Sequence, residues 1–131
     1  MSMRLTLDVP PSANGLYATV NGRRVLSREG RQYHEHVRAV VLRYRRRAEW
    51  LADNLSKTIR YSVSLTVTLA NRRRRDAGGV EKAILDGLTL ASVWHDDSQV
   101  DELLIRMRRG CTEEPERVDV EISHYTEQEA P

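Results

Sequence analysis

The side chains with chemical potential stand at both ends of one helix-like segment: Asp76 before it, Lys82 within it, and the pair Asp96-Asp97 after it. Two or more converging carboxylates bind Mg2+ or Mn2+, which prefer hard oxygen ligands and keep several waters. A metal held in this way activates water and offsets the charge of an attacked phosphodiester. Lys82 would add a compact ammonium that neutralises developing charge or helps place the water. Arg72, Arg73, Arg74 and Arg75 run directly into Asp76. They would grip a phosphate backbone, adding affinity without sequence information.

Each of these features also has a plain structural reading. Asp76 ahead of a helix reads as an N-cap. Lys82 and Asp86 are spaced as an i,i+4 surface pair, in the less favourable order. A run of arginines is often simply solvated, and Asp96-Asp97 suits a turn between elements. His95 lacks an HxxxH or HxH partner and reads as structural or solvated rather than as a ligand. On residue types alone, the metal reading and the structural reading both stand.

The elements that must position these groups follow from periodicity. Met3, Leu5, Leu7 and Val9 alternate with polar residues and predict a strand stopped by Pro10-Pro11. Leu16 to Leu26 carries Asn21-Gly22, a hairpin-turn signal. Ser27 caps a long helix whose apolar stripe is Tyr33, Val37, Val40, Val41, Tyr44, Ala48 and Leu51. Tyr61, Val63, Leu65, Val67 and Leu69 form the cleanest alternation in the chain, a strand with one buried face. Val80, Ile84, Leu88 and Ala91 mark one face of a second helix, with Lys82, Asp86 and Thr89 opposite and Glu81 at the edge. Leu103, Ile105 and Met107 predict one further strand, and Val118, Val120 and Ile122 another.

This order predicts an α+β domain with a mixed sheet and helices packed on it. It is expected to be one domain over 1–125 with a frayed polar tail at 126–131. A helix from about 79 to 91 spans roughly 18–20 Å at ~1.5 Å per residue. Asp76 and Asp97 therefore meet only if the segment from Val93 to Asp97 folds back toward the helix start. The sheet is expected to bring that about, with the strand ending at Leu69 delivering Asp76 and the approach to Val100 delivering Asp97.

Composition narrows the class. The chain has 131 residues, 40% of them hydrophobic and 31% charged, which fits a soluble domain with a highly charged surface. No apolar run suits a membrane span and no signal h-region opens the chain, so a cytoplasmic protein without membrane contact is expected. A single cysteine, Cys111, excludes an internal disulfide and a cysteine-based zinc site. Net charge is only +2, yet all but two of the 21 Lys and Arg residues are arginine. They cluster at 45–47, 72–75 and 106–109, while acids thicken from Glu113 to Glu129. A basic surface on a nearly neutral chain suggests an oriented polyanion partner.

Three segments together resemble the RusA-type Holliday junction resolvases, small endodeoxyribonucleases of phages, prophages and bacteria. PPSANGLY at 10–17 is similar to that family's PPSxNxxY element. VLSREGRQYHEHV at 25–37 resembles the segment opening its long helix. RRRRDAGGVEKAILDGLTLASVWHDDSQVDE at 72–102 resembles its central signature of arginines, an Asp-rich turn, a Lys-bearing helix and W-x-D-D-x-Q-V. The resemblance implies an α+β homodimer that binds four-way DNA junctions and cuts symmetrically placed strands with Mg2+, for which Mn2+ would substitute. No nucleotide cofactor is implied.

Carried over position by position, Asp76 matches the first acid of the family's D-x-D-N turn, and Lys82 its catalytic lysine. Asp97 matches the essential acid of W-x-D-D, with Asp96 beside it. Arg72 to Arg75, and Asn14 of the N-terminal element, would contact DNA. One departure stands out. Where D-x-D-N is expected, the chain has Asp76-Ala77-Gly78-Gly79, so the second carboxylate and the amide are missing. Glu81 is the nearest replacement ligand, with Asp96 and Asp101 behind it. Two functions follow: a Mg2+-dependent junction endonuclease, or a catalytically weakened branched-DNA binding protein of the same fold.

Overall fold

Alternation of Tyr61, Val63, Leu65 and Val67 with Ser62, Ser64 and Thr66 builds the inner strand of a four-stranded sheet. The computed structural model describes residues 2–45, 56–71, 75 and 77–126. Along the chain these form β1 (Ser2–Leu7), α1 (Ala13–Leu16), β2 (Tyr17–Val20), β3 (Arg23–Leu26), α2 (Arg28–Arg45), β4 (Tyr61–Thr68) and α3 (Ala77–Leu90). A short 3-10 turn (Asp97–Gln99), β5 (Val100–Arg108) and β6 (Arg117–His124) complete the order.

The sheet runs β1-β6-β4-β5. Only β4 and β5 are parallel; β6 pairs antiparallel with both β1 and β4. The expected α+β class with a mixed sheet is therefore what the chain adopts. Leu5, Val120 and Leu65 face one another across three strands, so the apolar residues of each strand fall on the same side. That side is buried under Tyr33, Val37 and Val41 of α2 and Val80, Ala83, Ile84 and Leu88 of α3. The other side carries polar pairs such as Arg4–Glu121 and Ser62–Glu102.

Local chemistry sets the boundaries. Asn21 and Gly22 both take positive φ, 51° and 75°, as a two-residue hairpin turn between β2 and β3 demands. Ser27 caps α2 as expected: its hydroxyl accepts from Gly30 N at 3.0 Å. Gly30 also permits a close crossing, because a Cβ there would lie 2.4 Å from the Leu16 carbonyl oxygen. Helix α1, which the sequence did not signal, is a single turn capped by Ser12, whose hydroxyl accepts from Gly15 N. β1 stops at Leu7, before Val9, and α3 begins at Ala77, two residues ahead of the expected start. Ala48, Leu51, Arg46, Arg47 and residues 127–131 of the expected tail lie outside the described residues.

Candidate active site

The turn after α3 is held by residues that do no chemistry themselves. Val93 and Trp94 are buried, and Trp94 Nε1 donates to Thr89 Oγ1 at 2.7 Å while its ring lies 5.5 Å from that of Tyr61. Gln99 is 3% exposed, and its amide is fully used. Its oxygen accepts from His95 N and Asp96 N, and its nitrogen donates to Ser56 O and Ile59 O. A buried primary amide satisfied on four sides fixes this segment tightly. Asp96 caps the 3-10 turn, accepting from Ser98 N at 3.1 Å. The bond from Ser98 is the main reason its carboxyl is held below the ordinary range. Asp97 is left exposed, with no ion pair or side-chain hydrogen bond among the described residues.

Asp97 opens into a pocket of about 370 Å3 lined by Tyr17, Leu26, His34, Asp86, Thr89, Leu90, Asp96 and Asp97. The polar face of α3 forms one wall, because Val80, Ala83, Ile84 and Leu88 are committed to the core. The hairpin supplies Tyr17 and Leu26. Tyr17 donates its hydroxyl to Asp86 Oδ2 at 3.1 Å. Burial first, and then this bond to Asp86, push the Tyr17 phenol up, so it stays a donor. Burial likewise pushes the His34 imidazole down against the opposing pull of Asp86, which favours its neutral form. His34 Nδ1 is buried without a hydrogen-bond partner among the described residues.

Lys82 and Asp86 do not form the expected surface ion pair among the described residues. Asp86 turns to Tyr17, and the exposed Lys82 Nζ lies 5.5 Å from the centroid of the Tyr17 ring. Arg24 of β3 lies over the same ring at 4.4 Å. Sequence reading missed Tyr17, His34 and Asp86 as pocket residues, and Arg24 over the Tyr17 ring; the Tyr of the N-terminal element was the only available signal for them.

The expectation that the sheet returns Asp97 to the start of α3 fails on register. Tyr61 pairs with Val100 and Thr68 with Arg108 in the parallel β4–β5 ladder. The end of β4 at Leu69 and the approach to Val100 therefore lie at opposite ends of the sheet, roughly 25 Å apart at ~3.3 Å per residue. Helix α3 crosses that distance back, so Asp97 shares its pocket with Asp86, Thr89 and Leu90 at the C-terminal half of α3. Ala77, nine residues before Asp86, lies ~13 Å further along the helix. Arg75 sits at that far end as well, half-buried, donating to Pro10 O at 2.6 Å, while its own carbonyl accepts from Arg109.

Arg75 thus ties the approach to α3 to the N-terminal segment. Asp76 and Arg72 to Arg74 lie outside the described residues, and so does the Asn14 side chain. Glu81 is half-buried in the first turns of α3, away from the pocket wall. Asp101 is held by a two-pronged contact from Arg60, its carboxyl lowered mainly by that bond. Among the described residues no three His, Cys, Asp or Glu side chains converge to hold a metal. No helix among them is long and apolar enough to cross a membrane.

Residues 8–123 match the family described as Endodeoxyribonuclease RusA. The crossover junction endodeoxyribonuclease rusA of Enterobacteria phage 82 is 33% identical over 96 residues, 73% of this chain and 74% of the relative. The crossover junction endodeoxyribonucleases RusA of Escherichia coli strain K12 and of Shigella sonnei strain Ss046 are similar to the same extent over the same shares.

Proposed function

This chain belongs to the RusA endodeoxyribonuclease family, and from that premise we propose that it is a Mg2+-dependent endonuclease of four-way DNA junctions, working as a homodimer. The observation that carries the reading is Asp97. It is an exposed carboxylate without a side-chain partner among the described residues, fixed by Trp94 and Gln99 at the mouth of an acidic pocket on the polar face of α3. A free carboxylate on a rigid mount suits a ligand for a hard cation, which is commonly held by one or two carboxylates and completed by waters. When bound, such a cation supplies an acidified water and offsets charge on the attacked phosphate. Lys82, one turn from Asp86, meets the phosphate with an ammonium that no carboxylate among the described residues neutralises. Arg72, Arg73 and Arg74 hold the strand.

The length of α3 supports a composite site. One chain places Asp97 at the C-terminal half of the helix, more than 13 Å by helix rise from the residue next to Asp76. Metal ligands lie within a few ångströms of one another, so Asp97 of one subunit is completed by Asp76 of the partner subunit. An isologous dimer makes two such sites related by a two-fold axis. That arrangement matches a four-way junction, whose two scissile strands are themselves symmetric. Thr126 and the residues after it take no part in this reading, which rests on one domain over 1–125.

Gly78 provides the test of the metal half of the proposal. It is exposed, and a Cβ there meets nothing within 4 Å among the described residues. Gly78→Asp restores the missing acid at the second residue of α3, where a negative charge also favours the helix N-terminus. It is expected to stabilise the fold by about 0.5 kcal/mol. It is also expected to lower the Mg2+ concentration for half-maximal junction cleavage by about tenfold, since ligand charge count tunes affinity for hard cations. A variant that folds and cuts at the native metal requirement contradicts this placement of the metal. Cleavage by Gly78→Asp alone, with the native chain binding junctions uncut, favours the weakened DNA-binding reading.

A further inference from the structure

Tyr17 links the hairpin to charged groups of α3. Its hydroxyl donates to Asp86 Oδ2, its ring lies 5.5 Å from Lys82 Nζ, and the Arg24 guanidinium lies 4.4 Å from the same ring. We propose that Tyr17 is a positioning residue that sets Lys82 and Arg24 as paired cations at the carboxylate pocket, and that Arg24 is a phosphate-contacting residue of the hairpin. The inference rests on the reading above, which places the scissile phosphate at this pocket.

The physical argument turns on what a ring offers that a carboxylate does not. A carboxylate holds a cation by accepting its N–H groups, and so neutralises and occupies it. An aromatic face holds a cation through its quadrupole and leaves the N–H donors unused. Lys82 is a flexible side chain that would otherwise sample many rotamers. Asp86, the carboxylate four residues on along the helix, is diverted to the Tyr17 hydroxyl. Lys82 and Arg24 are both exposed, and neither forms an ion pair or a side-chain hydrogen bond among the described residues. Two exposed cations are thus pre-placed at the Tyr17 ring, which lines the same pocket as Asp97, with their donors left for a phosphate oxygen.

The backbone under Tyr17 is correspondingly rigid. Leu16, its neighbour, is 2% exposed, and its carbonyl accepts from Ser27 N at 2.8 Å. The close crossing at Gly30 presses the same carbonyl against the start of α2. The ring is therefore anchored to the cap of the long helix rather than to a free hairpin.

Only Lys57 and Lys82 are lysines, so reductive methylation with 13C-formaldehyde gives two side-chain methyl signals besides the N-terminus, and Lys57→Arg assigns them. The Lys82 signal is expected to be shifted by the ring in the native protein and in Tyr17→Phe. In Tyr17→Leu it is expected to fall onto the Lys57 position. On the native protein alone, coincident Lys57 and Lys82 signals overturn the proposal, even if Tyr17→Leu fails to fold. The functional arm is a double-mutant cycle read as affinity for a synthetic four-way junction. Arg24→Ala is expected to weaken binding about fivefold in the native chain and less than about twofold in Tyr17→Leu. Equal losses in both backgrounds overturn the role given to Arg24. If the native protein shows the ring shift and the coupling but cuts no junction, the cleavage reading fails and the platform stands.

Discussion

Asp97→Asn is expected to lower the single-turnover rate of junction cleavage by about a thousandfold or more while leaving junction affinity within about twofold. The size follows from the metal's share of transition-state stabilisation, several kcal/mol, at ~1.4 kcal/mol per decade of rate. Asparagine keeps the shape of the side chain and removes the charge a hard cation needs. The fold should not notice, because Asp97 is exposed and bonded to nothing in the described protein; such substitutions change stability by about 0.5 kcal/mol or less. The neighbouring Asp96→Asn provides the contrast. Its carboxylate caps the 3-10 turn, so its loss acts by loosening the turn that carries Asp97, lowering thermal stability together with rate. Gel-shift affinity and single-turnover cleavage on one junction, with thermal melts of both variants, separate the two residues. More than a tenth of native activity in Asp97→Asn removes it from the metal site.

Mixing two dead variants should restore cutting. Asp76→Asn and Asp97→Asn homodimers each carry two broken sites, whichever way the ligands are shared. If each site takes Asp76 from one subunit and Asp97 from the other, a mixed dimer has one site with both lesions and one intact site. Random exchange of equal amounts makes about half of the dimers mixed, so about a quarter of all sites become competent. Those dimers nick one strand of a junction and leave the paired nick unmade. If each subunit holds its own pair, every site in the mixture keeps a lesion and no activity returns. The geometry that drives this expectation is the parallel register of β4 and β5, which puts Leu69 and Val100 at opposite ends of the sheet. Recovery well below a tenth, with subunit exchange verified, contradicts a site shared between subunits.

Strands that bury one face were legible from the sequence. Tyr61 to Val67 and Val118 to Ile122 alternate cleanly because one side of each faces the core and the other faces water. Helix α2 was equally plain from its stripe and from Ser27. Helix α1 was not, since four residues carry no period, and its only mark is Ser12 as a cap. The start of α3 was placed late because Gly78 and Gly79 read as a loop by propensity, while packing of Val80 and Ala83 extends the helix through them.

The site was legible only in part, and for a physical reason. Asp96, Asp97 and Lys82 carry local motif spacing, so resemblance finds them. Tyr17 meets Asp86 across 69 positions of sequence, and no local rule reports such a contact. The i,i+4 rule paired Lys82 with Asp86, but a hydroxyl from another element competes successfully for that carboxylate. Gln99 stood in the sequence only as the Gln of W-x-D-D-x-Q-V, and its role as a four-way buried anchor depends on Ser56 and Ile59, some 40 positions away. The return of Asp97 toward the start of α3 was misjudged because strand direction, which periodicity does not encode, decides which ends of a sheet meet.

The most direct measurement incubates the native protein with a synthetic four-way junction and with a duplex of the same sequence, each with and without Mg2+, and maps the cut positions on denaturing gels. Metal-dependent, ligatable nicks at symmetric positions on opposing junction strands, with the duplex left whole, are the result predicted. Junctions bound but uncut in Mg2+ and in Mn2+ alike would contradict the account and leave a branched-DNA binding protein of the same fold.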